Sequence, residues 1–173
     1  MQFNSFEFIY VFLPIVIIIF FSAAAWAGTR TAVAVLVISS LFYYGWWEPV
    51  YLLLISGSIL FNYIIGYLLV SKSEDKIISG KIVLIAGICG NLGLLGYFKY
   101  ANFFVDNFSL ASGVEVNLPP IILPIAISFF TFQQIAYLVD CRREEAAEYS
   151  FMNYVLFVTF FPQLLAGPIV HHR

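Results

Sequence analysis

Charge is what this chain has least of. Only 10% of its 173 residues are Asp, Glu, Lys or Arg, where a soluble domain carries roughly a quarter. Eight basic side chains stand against ten acidic ones, with no Lys/Arg cluster able to follow a phosphate backbone, so nucleic-acid binding is excluded. Cysteine is nearly absent. Cys89 lies within an apolar run and Cys141 just past the end of another, which leaves neither a disulfide framework nor a CxxC metal spacing. Histidine is the usual general base near neutral pH, yet it occurs only as His171 and His172, a pair that reads as solvated or interfacial. No GxSxG elbow, HExxH or paired-carboxylate spacing is present. The residues alone therefore identify no catalytic constellation.

Apolar length is what the chain has instead. It is 62% hydrophobic and 19% aromatic, with a mean hydropathy of +0.93, which predicts an all-α, polytopic membrane protein formed as a single transmembrane region over residues 1–173. Phe8 to Trp26 is uninterrupted and long enough to cross the roughly 30 Å hydrocarbon core. Pro14 is expected to kink this helix or sit in its first turns, and the absence of Lys or Arg before it argues against a cleavable signal. A turn at Gly28–Arg30 leads to Thr31–Tyr44, which approaches spanning length when the belt of Tyr43, Tyr44, Trp46 and Trp47 is counted as interfacial. Val50 to Val70 is a third helix, and its Ser56, Gly57, Ser58, Asn62 and Gly66 favour helix packing over lipid contact. The mixed-charge stretch Ser71–Lys81 reads as a solvated connector.

The fourth helix, from about Ile82 to Phe98, contains Gly87, Gly90, Gly93 and Gly96. These glycines lie inside an apolar run, not between a strand and a helix, so they signal close packing and not a dinucleotide loop. Lys99 to Pro120 is too polar to span and has one apolar face, which predicts an interfacial or re-entrant segment. Pro119, Pro120 and Pro124 then delay the fifth helix until about Ile125. From there the helical period puts Gln133, Tyr137 and Asp140 on one face, with Gln134 turned roughly a quarter of the way round. Polar groups in such a segment either line a wet cavity or join helices, at around 1 kcal/mol each. A charged loop, Cys141–Tyr149, precedes a sixth helix from Phe151 to about Phe161, which Pro162 is expected to break ahead of Gln163, Gly167 and Pro168. If the spans alternate, Arg30, Lys72, Lys76, Lys81, Arg142 and Arg143 share one side. Six of the eight basic residues then mark the cytoplasm, placing the N-terminus outside.

Four stretches add a resemblance. SSLFYYGWWEPVYLLLISGSILFNYIIG at Ser39–Gly66, YFKYANFF at Tyr97–Phe104, LPIAISFFTFQQIAYLVD at Leu123–Asp140 and FFPQLLAGPIV at Phe160–Val170 resemble the N-terminal part of membrane-bound O-acyltransferases of the alginate O-acetylase type. The resemblance implies acetyl transfer to hydroxyls of an exported polysaccharide in the bacterial inner membrane, working with periplasmic or extracellular partner proteins. It implies acetyl-CoA or another acetyl carrier as co-substrate and no resident cofactor or metal. It also implies a membrane-embedded passage, for which Gln133, Tyr137, Asp140, Gln163 and His171 are lining candidates. The catalytic histidine of that family lies beyond the GPI motif, outside this sequence, so the chain is expected to be an inactive portion of the domain. Many relatives carry arginine where this chain has His171. Related proteins of teichoic-acid D-alanylation offer a second substrate reading. A transporter or packing scaffold offers another class, for which an inverted repeat would be the sign.

Overall fold

The computed structural model describes residues 4–46, 49–70, 79–113, 121–143 and 150–166. Among these the chain is all helix, with no strand. A π-helical turn, Phe8–Phe12, runs into α1 (Leu13–Ala27), and α2 (Thr29–Gly45), α3 (Val50–Val70) and α4 (Gly80–Ser112) follow. After a non-helical strap at 121–126 come α5 (Ile127–Arg142), α6 (Phe151–Thr159) and α7 (Phe161–Ala166). The π-turn with α1, α3 and α4 are each long and apolar enough to cross a membrane, while α2 is shorter. The chain is thus a polytopic helical membrane protein.

Several element boundaries follow local chemistry. Pro14 follows the π-turn by two residues inside a helix that runs unbroken from Phe8 to Ala27; its missing N–H interrupts the hydrogen-bond ladder there, where the wider π-turn already departs from the α pattern. Gly28, at φ 84°, turns α1 into α2; that conformation is open to glycine at no steric cost. At the amino end Ser5 Oγ accepts from the Phe8 N–H at 3.2 Å. The neighbouring Glu7 carboxyl is held below its ordinary value by a backbone hydrogen bond and by Ser5.

Two expectations are corrected. The fourth helix does not stop near Phe98; α4 runs unbroken for 33 residues to Ser112, where Gly113 caps it in the left-handed conformation. Such a helix is about 50 Å long, well beyond the hydrocarbon core, so the amphipathic stretch from Lys99 continues a span instead of starting a new element. Likewise the sixth helix ends at Thr159, before the proline. Phe160 is the non-helical joint, and Pro162 sits in the first turn of α7, a position proline tolerates. The connectors at 71–78 and 144–149, together with Trp47, Glu48, Pro119, Pro120 and residues 167–173, lie outside the described residues.

Large apolar side chains such as Phe21, Leu53, Tyr67, Phe104 and Leu110 face outward, as a lipid solvent allows, while an apolar core around Ile55, Phe130 and Leu138 also encloses buried amides and hydroxyls. α5 is the centre, touching α3, α4, α6 and α7, whereas α1 packs on α2. A second cluster joins Phe8, Phe12, Tyr43 and Phe161, with ring centroids 5.4–5.9 Å apart, so that α7 docks beside the first hairpin. There the Phe161 N–H donates to Ser40 Oγ at 3.4 Å.

Candidate functional site

The interior of α5 is the candidate site, and the strap before it determines how the helix begins. Residues 121–124 have no regular secondary structure, so their backbone groups lack helical partners and must find others. Asn102 of α4 supplies two: its Nδ2 donates to Ile121 O at 2.8 Å and its Oδ1 accepts from the Ile121 N–H at 3.0 Å. The Tyr51 hydroxyl donates to Ile122 O at 2.7 Å and the Tyr44 hydroxyl to Ile125 O at 3.3 Å. Irregular backbone between spans survives in a membrane protein when the protein itself satisfies it. Ala126 then takes a left-handed conformation, φ 59°, and α5 starts one residue later.

The glycines of α3 and α4 let those helices close on α5. A Cβ at Gly87 would stand 2.6 Å from Leu138 Cδ1 and 3.0 Å from Ile65, and one at Gly66 would meet the Tyr137 ring at 2.6 Å. Gly90 is pressed by Phe61, whereas Gly93 and Gly96 face open space. Close packing therefore accounts for half of the glycine run.

That approach brings together a polar clasp across three helices. Ser58 Oγ donates to Gln134 Oε1 at 2.6 Å and Asn62 Nδ2 donates to the same oxygen at 2.8 Å. Asn62 and Asn91 face each other reciprocally, Asn91 Nδ2 to Asn62 Oδ1 at 2.6 Å and Asn62 Nδ2 to Asn91 Oδ1 at 3.1 Å. Back-bonds from Asn62 to Ser58 O and from Asn91 to Gly87 O complete the set. Gln134, not Gln133, is thus the hydrogen-bonded glutamine, and Asn91 joins α4 to it. The available signal was that Ser58 and Asn62 share a face of α3 at i and i+4. Amides on separate apolar helices have little choice but one another.

The predicted face is buried as well. Gln133 is 0% exposed, Asp140 4% and Tyr137 5%, and the Tyr137 ring packs against Tyr154 of α6 with centroids 4.2 Å apart and planes tilted by 33°. Gln163 is half-buried on α7, which rests on α2 and α5; His171 lies outside the described residues. Among the described residues five buried polar atoms have no hydrogen-bond partner within the protein: Thr131 Oγ1, Gln133 Nε2 and Oε1, Gln134 Nε2 and the Tyr154 hydroxyl. At about 1–3 kcal/mol each, these would together weigh as much as the whole stability of an ordinary domain, roughly 5–15 kcal/mol. Among the described residues no group of His, Cys, Asp and Glu could hold a metal ion.

A groove of about 360 Å³ runs along the outer side of α3 and α4, walled by Leu53, Leu54, Phe61 and Leu94. Its floor is formed by Ser58 and Asn91, the outer members of the clasp.

No family model matches the chain, and no solved structure matches it. Among curated proteins, it is 40% identical to a peptidoglycan O-acetyltransferase of Helicobacter pylori over 99% of this chain and 37% of that protein. It is 36% identical to the probable alginate O-acetylase AlgI of Pseudomonas aeruginosa over 100% of this chain and 33% of the relative. The corresponding Azotobacter vinelandii protein is 35% identical over 100% of this chain and 35% of its own length. The chain is similar along its whole length to acyltransferases of the alginate O-acetylase type. It spans about a third of the length of the curated relatives it matches. Of the four stretches that carry the resemblance, Ser39–Gly66 covers the end of α2 and most of α3 and supplies Ser58 and Asn62, and Leu123–Asp140 covers most of α5 and supplies Gln134.

Proposed function

We propose that this chain forms part of a membrane enzyme that transfers acetyl groups to hydroxyls of an exported polysaccharide. The observation that carries the reading is similarity along the whole chain to both a peptidoglycan O-acetyltransferase and several alginate O-acetylases. Two named acceptors that differ in chemistry share one requirement, a polysaccharide hydroxyl. In the reaction the hydroxyl oxygen bonds to the acetyl carbonyl carbon, the bond from that carbon to the carrier breaks, and the hydroxyl proton leaves to a base. With acetyl-CoA or a similar carrier as donor, the cytoplasm supplies the acetyl group and the acceptor meets it at or beyond the outer face of the inner membrane. Periplasmic or extracellular partners would receive the product, and the chain would sit with its N-terminus outside.

Within that reading the buried polar side of α5 borders the passage. Gln133, Tyr137 and Asp140 are its candidates, with Gln163 and His171 farther along the chain. Support for Gln133, Tyr137 and Asp140 comes from their enclosure: polar side chains at the centre of a bundle of apolar spans are functional candidates by default.

The test is acetyl-ester content. The gene carrying this sequence is expressed in cells that export unacetylated alginate and in cells with unacetylated peptidoglycan, and alkali-released acetate is measured in each polymer. Acetate in one polymer assigns the acceptor. Acetate in neither, with the protein present in the membrane, refutes the reading.

A further inference from the structure

Three contacts fix how α5 is turned about its own axis. Gln134 Oε1 accepts from Ser58 Oγ at 2.6 Å and from Asn62 Nδ2 at 2.8 Å, both on α3. One turn later Leu138 lies against Gly87 of α4, and Tyr137 lies against Gly66 of α3. All three α5 side chains are at least nine-tenths buried. Successive residues on a helix stand about 100° apart, so turning α5 by one residue hands each contact to a neighbour. In one sense Ile135 takes the place of Gln134, and the two α3 donors lose their acceptor. In the other sense Gln133 enters the clasp, but Tyr137 then takes the place of Leu138 against Gly87, where the leucine already stands 2.6 Å from the position of a Cβ. The larger ring does not fit there. Apolar faces alone discriminate weakly among rotations of a helix in a membrane, because lipid is as apolar as they are. A buried hydrogen bond that one rotation satisfies and its neighbour orphans discriminates strongly.

We propose that Gln134 is a positioning residue: clasped by Ser58 and Asn62, it locks α5 at the rotation that turns Gln133, Tyr137 and Asp140 together into the bundle. Gln134 acts through the helix and not on a substrate. What the lock serves rests on the proposed function, which places those three side chains beside the passage.

Cys141 reports the rotation. It follows Gln134 by seven residues, two turns along the same side of α5. It is 1% exposed and stands in the last turn of the helix, where a reagent from water reaches the thiol once it turns outward. Cys89, the other cysteine, is replaced throughout by Cys89→Ser. Membranes carrying the full chain are treated with N-ethylmaleimide well below the Tm of each variant, and acetate ester is measured in the polymer at equal protein level. Gln134→Met keeps the shape and loses the acceptor oxygen; it should speed Cys141 labelling by about tenfold, the equivalent of one lost hydrogen bond, and lower acetate several-fold. Gln134→Glu returns an oxygen to both donors and should restore slow labelling and acetate together. If Gln134→Met does not fold, Ser58→Ala, which removes one donor, should move both readouts the same way by less. Labelling of Gln134→Met at the unsubstituted rate, acetate unchanged while labelling accelerates, or no restoration by Gln134→Glu overturns the proposal, since a merely stabilising glutamine lowers Tm and moves neither readout. Absence of acetate from the unsubstituted chain refutes the proposed function instead, and labelling then decides the lock by itself.

Discussion

Asn62 shows how much rests on one side chain. Its Nδ2 shares two hydrogens among Gln134 Oε1, Asn91 Oδ1 and the Ser58 carbonyl, while its Oδ1 accepts from Asn91. Asn62→Leu should leave buried amide atoms of Asn91 and Gln134 short of partners and destabilise the protein by about 1–3 kcal/mol, read as a fall in Tm. Adding Asn91→Leu should cost less than the sum of the single changes, because the two amides belong to one network. The glycines give a second contrast. Gly66→Ala forces a methyl against the Tyr137 ring, which a Cβ would meet at 2.6 Å, and should destabilise by about 1–3 kcal/mol. Gly93→Ala meets nothing within 4 Å and should stabilise α4 by up to about 1 kcal/mol. Thermal unfolding of the two variants in the same detergent checks both signs.

At the scale of elements, the strap and α5 act as a pair. Asn102 holds both backbone polar groups of Ile121, and Asn102→Leu removes both bonds while leaving the Tyr51 and Tyr44 hydroxyls in place. Hydrogen exchange at the Ile121 amide should then speed up by at least about tenfold, the equivalent of one lost hydrogen bond, while the core of α5 stays protected. Equal loss of protection throughout α5 would instead show that the strap and the helix open as one unit. The prolines ending at Pro124 placed the start of α5 within two residues, because proline excludes the helical conformation before it, and helical spacing put Gln133, Tyr137 and Asp140 on one face, where all three are buried. Spacing could not distinguish Gln133 from Gln134 as the bonded partner. The two differ only by a rotation about α5, and the positions of α3 and α4 decide which one meets an amide. The end of α4 was unreadable for a related reason: polarity rises at Lys99, but a helix leaving the hydrocarbon core loses apolar character without losing its hydrogen bonds.

For the whole molecule, the outward display of Leu53, Tyr67, Phe104 and Leu110 requires a lipid solvent, and carbonate washing should leave the chain in the membrane fraction. Topology carries a sharper expectation. With the N-terminus outside, a cysteine replacing Ser73 should be modified by an impermeant thiol reagent only in inverted vesicles, and one replacing Glu48 only in intact cells. The opposite pattern would reverse the orientation that the charge distribution implies.

Composition and periodicity alone determined that this chain is helical, membrane-embedded and built around an unusually polar fifth helix, and its motifs pointed to the acyltransferase resemblance. These properties are additive along the chain, each span declaring itself by its own hydropathy. Only the tertiary structure decided that Asn91 reaches Asn62, that Gln134 takes both donors of α3, and that a neighbouring turn leaves Gln133 enclosed without a protein partner. Which polar groups pair depends on how closely three helices approach one another, and that distance is determined by side chains far apart in sequence, Gly66 against Tyr137 and Gly87 against Leu138.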